Sequence, residues 1–524
     1  LCEGLLRARD KHLYRGLTDC GAGGLSSAIG EMGEKCGALV ELDKVPLKYP
    51  GLSPDEIWIS EAQERMVMAV PPEKLDECLA VFAEDEVEAT VIGSFTDTGR
   101  LELRYEGTTV CDLSMEFLHD GTPKPVRTAD WRKPELDDPG CPPCEDWSAT
   151  LLSMVGSPNV NSREWIIRQY DHEVQGMSVV KPLVGLGLSP EETSDEGEGP
   201  AVAARGPSDG SVLKPLADSP KGVALGCGAN PDFGLLDPGA MAEAVIDEAL
   251  RNVVAVGGDP DHTSLLDNFS WGNCDEPDRL GALVLAAKGC YRAAVAYGTP
   301  FISGKDSLNN EYRVDGVARS IPPTLFASAM SIVPDAARAV TMDAKRPGAR
   351  LYLVGTTKLE LGGALYLTHQ NGTLAGRVPR PDLTQAPSVL RAVHAALKSG
   401  LALSCHDLSE GGLAVAAAEM AFAGGVGIEV DLERVPVEES LQSEDPEGVS
   451  HDAVRAFSES CTRFLIEVDE AHAAAFEQAL GQHAAQVGQV LEDPVLRLLG
   501  RGEKTLCQIP VSDLARAHRS GFQG

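Results

Sequence analysis

The chain repeats itself, and the repeat narrows the folds open to it. Leu17-Thr18-Asp19-Cys20-Gly21-Ala22-Gly23-Gly24-Leu25 runs on to Glu31-Met32 as a glycine turn feeding a helix. The pattern returns as His406-Asp407-Leu408-Ser409-Glu410-Gly411-Gly412-Leu413 and runs on to Glu419-Met420. Asp, Gly-Gly-Leu and Glu-Met fall in matching positions without a gap. Two further echoes keep the order: Ser60-Glu61-Ala62-Gln63-Glu64-Arg65 against Ser458-Glu459-Ser460-Cys461-Thr462-Arg463, then Val91-Ile92-Gly93 against Gln486-Val487-Gly488. Ordered markers of this kind indicate a duplicated domain.

Each copy reads as a helix after the Gly-Gly turn, then an apolar strand (65–70 and 463–468), then a second helix (72–82 and 470–480). That mixture predicts α/β layers, with helices on a sheet. The first copy spans 1–120. Residues 121–163 are proline-rich and polar, as in an extended linker. A different domain follows over 164–345, interrupted by an acidic Gly/Ser/Pro run at 189–207 that reads as a mobile insertion. The second copy occupies 346–524, opening on the buried-strand pattern Leu351-Tyr352-Leu353-Val354. At 524 residues the chain is too long for a single core.

Composition excludes several classes. A formal charge of -34 with no basic stripe argues against a broad nucleic-acid surface. No run approaches the ~20 apolar residues of a membrane span, and no signal peptide opens the chain. Thirteen cysteines without a repeated spacing suit reduced thiols and a cytoplasmic location. Cys141-Pro142-Pro143-Cys144 has no second close Cys or His pair to complete a zinc site, and reads as linker.

The stretch from Leu266 to Glu311 concentrates the chemistry of the central domain. Asp267-Asn268-Phe269-Ser270-Trp271-Gly272-Asn273 opens it, a helix over 278–297 follows, and Gly298-Thr299-Pro300-Phe301-Ile302-Ser303-Gly304-Lys305-Asp306-Ser307 closes it. A Gly-Lys-Asp-Ser loop suits a phosphate. Glycine admits close approach, amides and Lys305 meet negative oxygens, and Asp267 or Asp306 can hold a cation. The same residues also suit an ordinary surface turn.

These motifs resemble the second ATP-binding-type domain of the synthetase (PurL) family of phosphoribosylformylglycinamidine synthase, in the aminoimidazole ribonucleotide synthetase superfamily. Gln169 to Gly176 is similar to that domain's entry, and Glu243 to Gly258 to its central helix and turn. The resemblance implies two PurM-like C-terminal-type domains flanking one PurM-like N-terminal-type ATP-binding domain. In the family another N-terminal-type domain precedes the first copy. The first copy is therefore expected to be N-terminally incomplete, with the family's catalytic histidine before Leu1 and the fragment inactive alone.

Residue by residue, the resemblance assigns Asp267, Gly304 and Lys305 to ATP, and Ser307 with Glu61, Ala62 and Gln63 to substrate. Asp19 takes the magnesium-ligand role, although helix capping suits it equally. Many members have Asn where Lys305 stands. Lysine cannot ligate a cation, so Lys305 is expected to neutralise phosphate and Asp306 to take the metal role. In the second copy Gln63 is replaced by Cys461, and no metal role is carried to Asp407.

The implied activity is a C–N-forming, ATP- and Mg²⁺-dependent ligase acting on formylglycinamide ribonucleotide. Cys227 lies outside a Gly-x-Cys-x-Gly elbow, so ammonia is expected from a separate PurQ-like glutaminase, with a small PurS-like subunit. Two rival readings are another superfamily member (aminoimidazole ribonucleotide synthetase, selenophosphate synthetase or thiamine-phosphate kinase) and a non-catalytic nucleotide-binding scaffold. Those members carry a single unit, so the duplication counts against them.

Overall fold

The computed structural model describes residues 1–136, 138–170, 172–185, 205–372, 374–441 and 448–520. The chain forms two compact units, Leu1–Val126 and Arg127–Gly524. Among the described residues, no helix is long and apolar enough to cross a membrane.

In the first unit the strands are β1 (Gly16–Asp19), β2 (Ala38–Glu41), β3 (Met66–Ala69), β4 (Gly93–Phe95), β5 (Arg100–Tyr105) and β6 (Thr108–Ser114). β1 pairs antiparallel with β3, and a separate sheet runs β4-β2-β5-β6, with β2 parallel to β5. Leu25 and Ile29 of the Leu25–Met32 helix share one core with Val40, Val67, Leu101 and Leu103, so both sheets rest on the same apolar cluster. The short Pro54–Ile59 helix starts where the sequence dictates: Ser53 and Glu56 form a capping box, with proline at the first turn.

The second unit continues with β7 (Ser178–Val180), β8 (Leu183–Val184), β9 (Gly206–Pro207), β10 (Gly210–Leu213), β11 (Gly222–Gly228), β12 (Thr263–Ser270), β13 (Phe301–Ser307), β14 (Glu311–Val314), β15 (Val317–Ser320) and β16 (Thr324–Val333). One sheet runs β13-β12-β16-β11-β10-β7. Along β16 the period of two is explicit: Leu325, Ala327, Ala329 and Val333 are buried, while Phe326, Met330 and Ile332 are exposed. The Pro238–Ala255 helix, capped by Asp237 on the amide of Ala240, buries almost every residue against this unit.

A further sheet holds β17 (Arg350–Val354), β18 (Ser404–Asp407), β19 (Gly427–Asp431), β20 (Phe464–Val468), β21 (Ala484–Leu491), β22 (Val495–Gly500) and β23 (Lys504–Pro510), in the order β18-β20-β17-β21-β19-β22-β23. Removing β17 leaves the order of the first unit, β1-β3 then β4-β2-β5-β6, with the same parallel pair in the same place. The duplication read from the sequence is thus a duplication of topology.

The sequence markers explain why both copies fold alike. In the first copy the Glu61 carboxylate accepts from the amide of Gly23 at 3.1 Å; in the second, Glu459 accepts from Gly411 at 2.8 Å. The glycines that follow, Gly24 and Gly412, have φ of 60° and 63°, and an added Cβ would stand 2.1 Å and 2.5 Å from the carbonyls of Ser60 and Ser458. Only glycine fits there. Arg65 and Arg463 close the arrangement by donating to those same two carbonyls.

The structure adjusts two of the expected stretches and leaves most of a third undescribed. The 121–163 stretch is more than a linker: Trp147–Val155 is a helix, Asp146 caps it, and Trp147, Leu151, Met154, Cys141 and Cys144 enter the core of the second unit. The prolines around it hid its apolar face. The expected insertion at 189–207 lies largely outside the described residues, and its last two positions form β9, paired with β8. The anticipated helices at 72–82 and 470–480 each begin with a 3₁₀ turn and continue as Leu75–Glu84 and Ala473–Leu480.

Glu459 is buried and takes amide protons from both Gly411 and Leu365. Burial, with the charge of Glu410 next, pushes it up to about 8. Its folded value lies above the ordinary glutamate value, so folding takes up a proton. The resulting stability is complete below about pH 4.3 and is lost as pH rises through the folded value. Gln at this position stays neutral and keeps the acceptor. Between about pH 5 and about pH 8.5 the wild type should lose at least ~1.4 kcal/mol relative to Glu459→Gln, the equivalent of one pKa unit. Denaturant melts at both pH values check this, and parallel losses in the two proteins would show Glu459 ionised throughout.

Candidate functional site

The residues singled out in the central domain lie on a strand, contrary to the expected loop. Gly304 to Ser307 complete β13, which pairs parallel with β12 in the register Asp267 with Gly304, Asn268 with Lys305, Phe269 with Asp306 and Ser270 with Ser307. β13 is the sheet's edge, which is why a Gly-Lys-Asp-Ser sequence survives there: one side of the strand needs no partner.

Because side chains alternate, the register divides the set between two faces. Asp267, Gly304 and Asp306 fall on the side that also carries the buried Leu265 and Phe269. A Cβ on Gly304 would lie 1.9 Å from Oδ1 of Asp267, so glycine makes room for that carboxylate. Burial, reinforced by the charge of Asp306, raises Asp267 above its ordinary value. Lys305, Ser307 and Asn268 occupy the opposite, open side, where Lys305 Nζ donates to Ser307 Oγ. The structure therefore brings Asp267 to Gly304 and Lys305 to Ser307, but parts the two pairs.

In the first unit the predicted residues gather around one glycine turn. Asp19 ends β1, and its carboxylate lies against Gly21, where a Cβ would stand 3.1 Å from Oδ2. The capping alternative is not realised, since the N-cap of the following helix is Gly24. Asp19 is exposed, as a ligand would need to be. Glu61, expected at the substrate, also holds the turn: one of its carboxylate oxygens accepts from the amide of Gly23. Ala62 and Gln63 follow on the same turn, with Gln63 exposed.

Sequence reasoning missed a buried ionic network in the second unit. His406 Nδ1 lies 2.7 Å from Asp209 and Nε2 3.1 Å from Glu419. Asp407 receives Arg251 Nε and Nη2 at 3.2 and 3.1 Å, and Arg251 also donates to Asp247 and to the carbonyl of Leu408. Asp247 accepts in addition from Tyr297 Oη, Thr462 Oγ1 and the Thr462 amide, at 2.5, 2.5 and 2.7 Å. The Asp-Leu-Ser-Glu-Gly-Gly motif contained the signal, but Asp209 and Arg251 lie far off in sequence.

Asp209, His406 and Asp407 lie close enough to surround a cation. Burial alone would lower His406, yet Asp209 and Glu419 raise it well above the ordinary value. Burial would raise Asp209, and the His406 charge holds it down instead. A protonated imidazole cannot ligate, and Arg251 already supplies positive charge to Asp407. The network as built is an ion-paired one. A separate cavity of about 410 Å³, lined by Lys133, Asp138, Asp237, Arg377 and Arg380 among others, contains none of the predicted residues. Arg380 there pairs with Asp237, and Arg377 with Glu360.

Comparison with known proteins places these features in a family. Residues 2–106 and 346–500 match the AIR synthase related protein C-terminal domain, and residues 208–332 its N-terminal domain. The chain is 32% identical to phosphoribosylformylglycinamidine synthase subunit PurL of Deinococcus radiodurans, over 100% of this chain and 67% of that protein. It is 33% identical to the PurL subunit of Thermococcus gammatolerans, over 99% and 66%. The chain thus spans about two thirds of the length of these relatives. A solved structure of Thermotoga maritima PurL complexed with ADP shares the fold, with a TM-score of 0.59 at 21% identity over 93% of this chain and 66% of that one. The two domain types, their order and these alignments together show that the chain belongs to the family of phosphoribosylformylglycinamidine synthase subunit PurL.

Proposed function

We propose that the protein carrying this chain converts formylglycinamide ribonucleotide to formylglycinamidine ribonucleotide in purine biosynthesis, using ATP and ammonia derived from glutamine. The observation that carries this reading is alignment to PurL subunits along the entire chain, through both copies of the duplicated domain. T. maritima PurL has been solved with ADP, with ATP and with FGAR, which supports nucleotide and ribonucleotide binding by the same fold. In this reading the amide oxygen of the substrate attacks the γ-phosphorus and ADP leaves. Ammonia then adds to the imidate carbon and phosphate departs, leaving the amidine.

The residues divide the work by their surroundings. Lys305 and Ser307, on the open side of an edge strand, meet a phosphate group. Asp267 and Gly304 form the polar floor for the nucleotide. Gln63 and the backbone at Ala62 contact the substrate, with Glu61 holding the turn that presents them. Mg²⁺ fits the carboxylates available: Asp267 and Asp306 share one face, burial and the nearby Asp306 charge raise Asp267, and a cation there would offset that cost. Asp19, exposed beside Gly21 in the first unit, is by itself a ligand of the right type for a cation. When bound, Mg²⁺ offsets negative charge on the transferring phosphoryl group.

A PurLQS assembly from T. maritima supports partnership with a PurQ-like glutaminase and a PurS-like subunit. Cys227 ends no nucleophile elbow: it lies on β11 with its side chain exposed, and crowding by the strand together with the acidic Glu248, Asp407 and Glu410 nearby raises its thiol above the usual value. A thiol so raised is a poor nucleophile at neutral pH. We place the reaction in the cytoplasm, in keeping with unpaired cysteines.

Full-length protein purified without a glutaminase should therefore turn over with ammonium salts and fail with glutamine. Glutamine-dependent product formation by that preparation would remove the case for a separate subunit. Within the present chain, Lys305→Ala should weaken ADP binding by roughly 1.5–3 kcal/mol, the worth of a charge-assisted bond to phosphate. The melting temperature should barely change, because an exposed edge lysine carries little packing. Calorimetric titration of ADP into both proteins, with ligand-free melts alongside, checks this. Equal affinities would reduce 304–307 to an ordinary sheet edge.

A further inference from the structure

The cavity of about 410 Å³ in the second unit gathers cations in a chain whose formal charge is -34. Three segments build it: the strap at 133–138, the turn before the Pro238–Ala255 helix, and the stretch at 376–380. Gly376 gives the last of these its course. Its φ is 99°, and a Cβ on the facing Gly362 would stand 2.4 Å from the Gly376 carbonyl. The two glycines pack backbone against backbone, and Arg377 and Arg380 are left exposed on the cavity wall.

The positive charge there is only partly offset. Among the described residues Lys133 has neither a hydrogen bond nor an ion pair. Arg377 has one counter-ion, Glu360 at 3.3 Å. Glu360 is completely buried, neither of its carboxylate oxygens accepts a hydrogen bond, and burial raises it above the ordinary glutamate value. A carboxyl biased toward its neutral form balances the guanidinium poorly. Arg380 is divided between Asp237 at 3.4 Å and Glu243 at 3.6 Å. The two acids on the wall are committed to the backbone: Asp138 accepts from the amide of Gly140 and Asp237 from the amide of Ala240, each at 2.9 Å. Asp237 also faces the positive end of an 18-residue helix, which absorbs part of its charge.

We propose that this cavity binds a small organic anion, its phosphate or carboxylate group met by Lys133 and Arg377 and its apolar body lying on Leu136, Leu236 and Val378. The volume falls in the range of small-molecule pockets, roughly 300–1,000 Å³. The Arg377 guanidinium offers a planar fork to either oxyanion, and the Lys133 ammonium adds a point charge. A bare inorganic ion would leave the apolar wall wet, so an organic body belongs to the assignment. None of the residues assigned to nucleotide, metal or substrate lines the cavity, so the site is independent of the ligase reading.

Calorimetric titration of the complete chain with phenyl phosphate, benzoate and benzyl alcohol tests the site. The three probes share a ring and differ in charge. Phenyl phosphate or benzoate should bind at one site, with benzyl alcohol at least about tenfold weaker, and the tighter anion identifies the oxyanion preferred. Lys133→Ala and Arg377→Ala should each weaken that anion about tenfold, as expected for one charge-assisted bond. Both side chains are exposed, so the melting temperature should hold. Glu360→Gln removes the negative charge that competes for Arg377 and should bind at least as tightly as wild type. No binding of either anion, equal binding of the alcohol, or unchanged affinity in Lys133→Ala or Arg377→Ala would overturn the proposal. Weaker binding by Glu360→Gln would overturn it too. So would a loss on Lys305→Ala, which would put the anion at the β13 edge instead.

Discussion

The Asp247 carboxylate is the constraint on which the second unit depends. It has no exposed side-chain surface, so its charge is tolerable only if both oxygens are filled with donors. Tyr297 and Arg251 supply two from the helical layer of the central sheet, and Thr462 supplies two from the turn before β20. Those two sources belong to different sheets. Removing either would leave a buried charge under-partnered, so the central layer and the second copy are held at one mutual setting. Thr462 achieves its geometry at φ of 55°, unusual for a β-branched residue, and Glu64 has φ of 57° at the matching place in the first copy. The strained turn is thus a property of the repeat, used in the second copy to carry a hydroxyl and an amide to one carboxylate.

That setting decides the character of the neighbouring acids. Asp407 is nearly buried, and burial raises it to about 7 even with the Arg251 guanidinium beside it. Glu248 and Glu459 are raised as well, chiefly by burial. Arg251, His406 and Arg463 provide the positive charge, which is fewer cations than there are acids around them. Protonation of some carboxyls is the cheaper resolution, and the direction of every raised value agrees. Asp19, at the position equivalent to Asp407, ends its strand exposed to water. One sequence motif therefore yields a solvated carboxylate in one copy and an ion-paired, desolvated one in the other.

Much of this was legible in the sequence, and the limits have physical reasons. The repeat could be read because its markers are local: a Gly-Gly pair with positive φ, the glutamate that caps it, and the arginine that closes it are each fixed by backbone geometry that few residues satisfy. The Pro277–Tyr297 helix could be read from its apolar pattern and length, and the Pro238–Ala255 helix from the resemblance of Glu243 to Gly258 to the family's central helix. The form of the Gly304 to Ser307 segment could not. Gly, Lys, Asp and Ser are depleted in strands and typical of loops, and only an edge position with a free side permits them. The partition of Lys305 from Asp267 depends on register, which sequence composition does not set. The Trp147–Val155 helix was hidden by its proline-rich flanks. The ionic network was hidden because Asp209, Asp247, Arg251 and His406 converge from three separated segments.

The edge strand links the local accident to the functional reading. An interior strand with Asp267's neighbour at position 304 would need a side chain to fill the sheet face, and any Cβ there displaces the carboxylate. Glycine at 304 therefore preserves Asp267, and the resulting thin place in the edge strand exposes backbone to an approaching ligand. Lys305, one residue on, points to the other face by strand alternation, so a single pair of adjacent residues serves two surfaces of the same sheet. A nucleotide reaching this edge can meet cationic and carboxylate groups on opposite sides of one strand. In the proposed function that arrangement would separate a phosphate contact from a metal contact without requiring a loop, and the free edge is what lets a sequence with the composition of a phosphate loop form the border of a sheet.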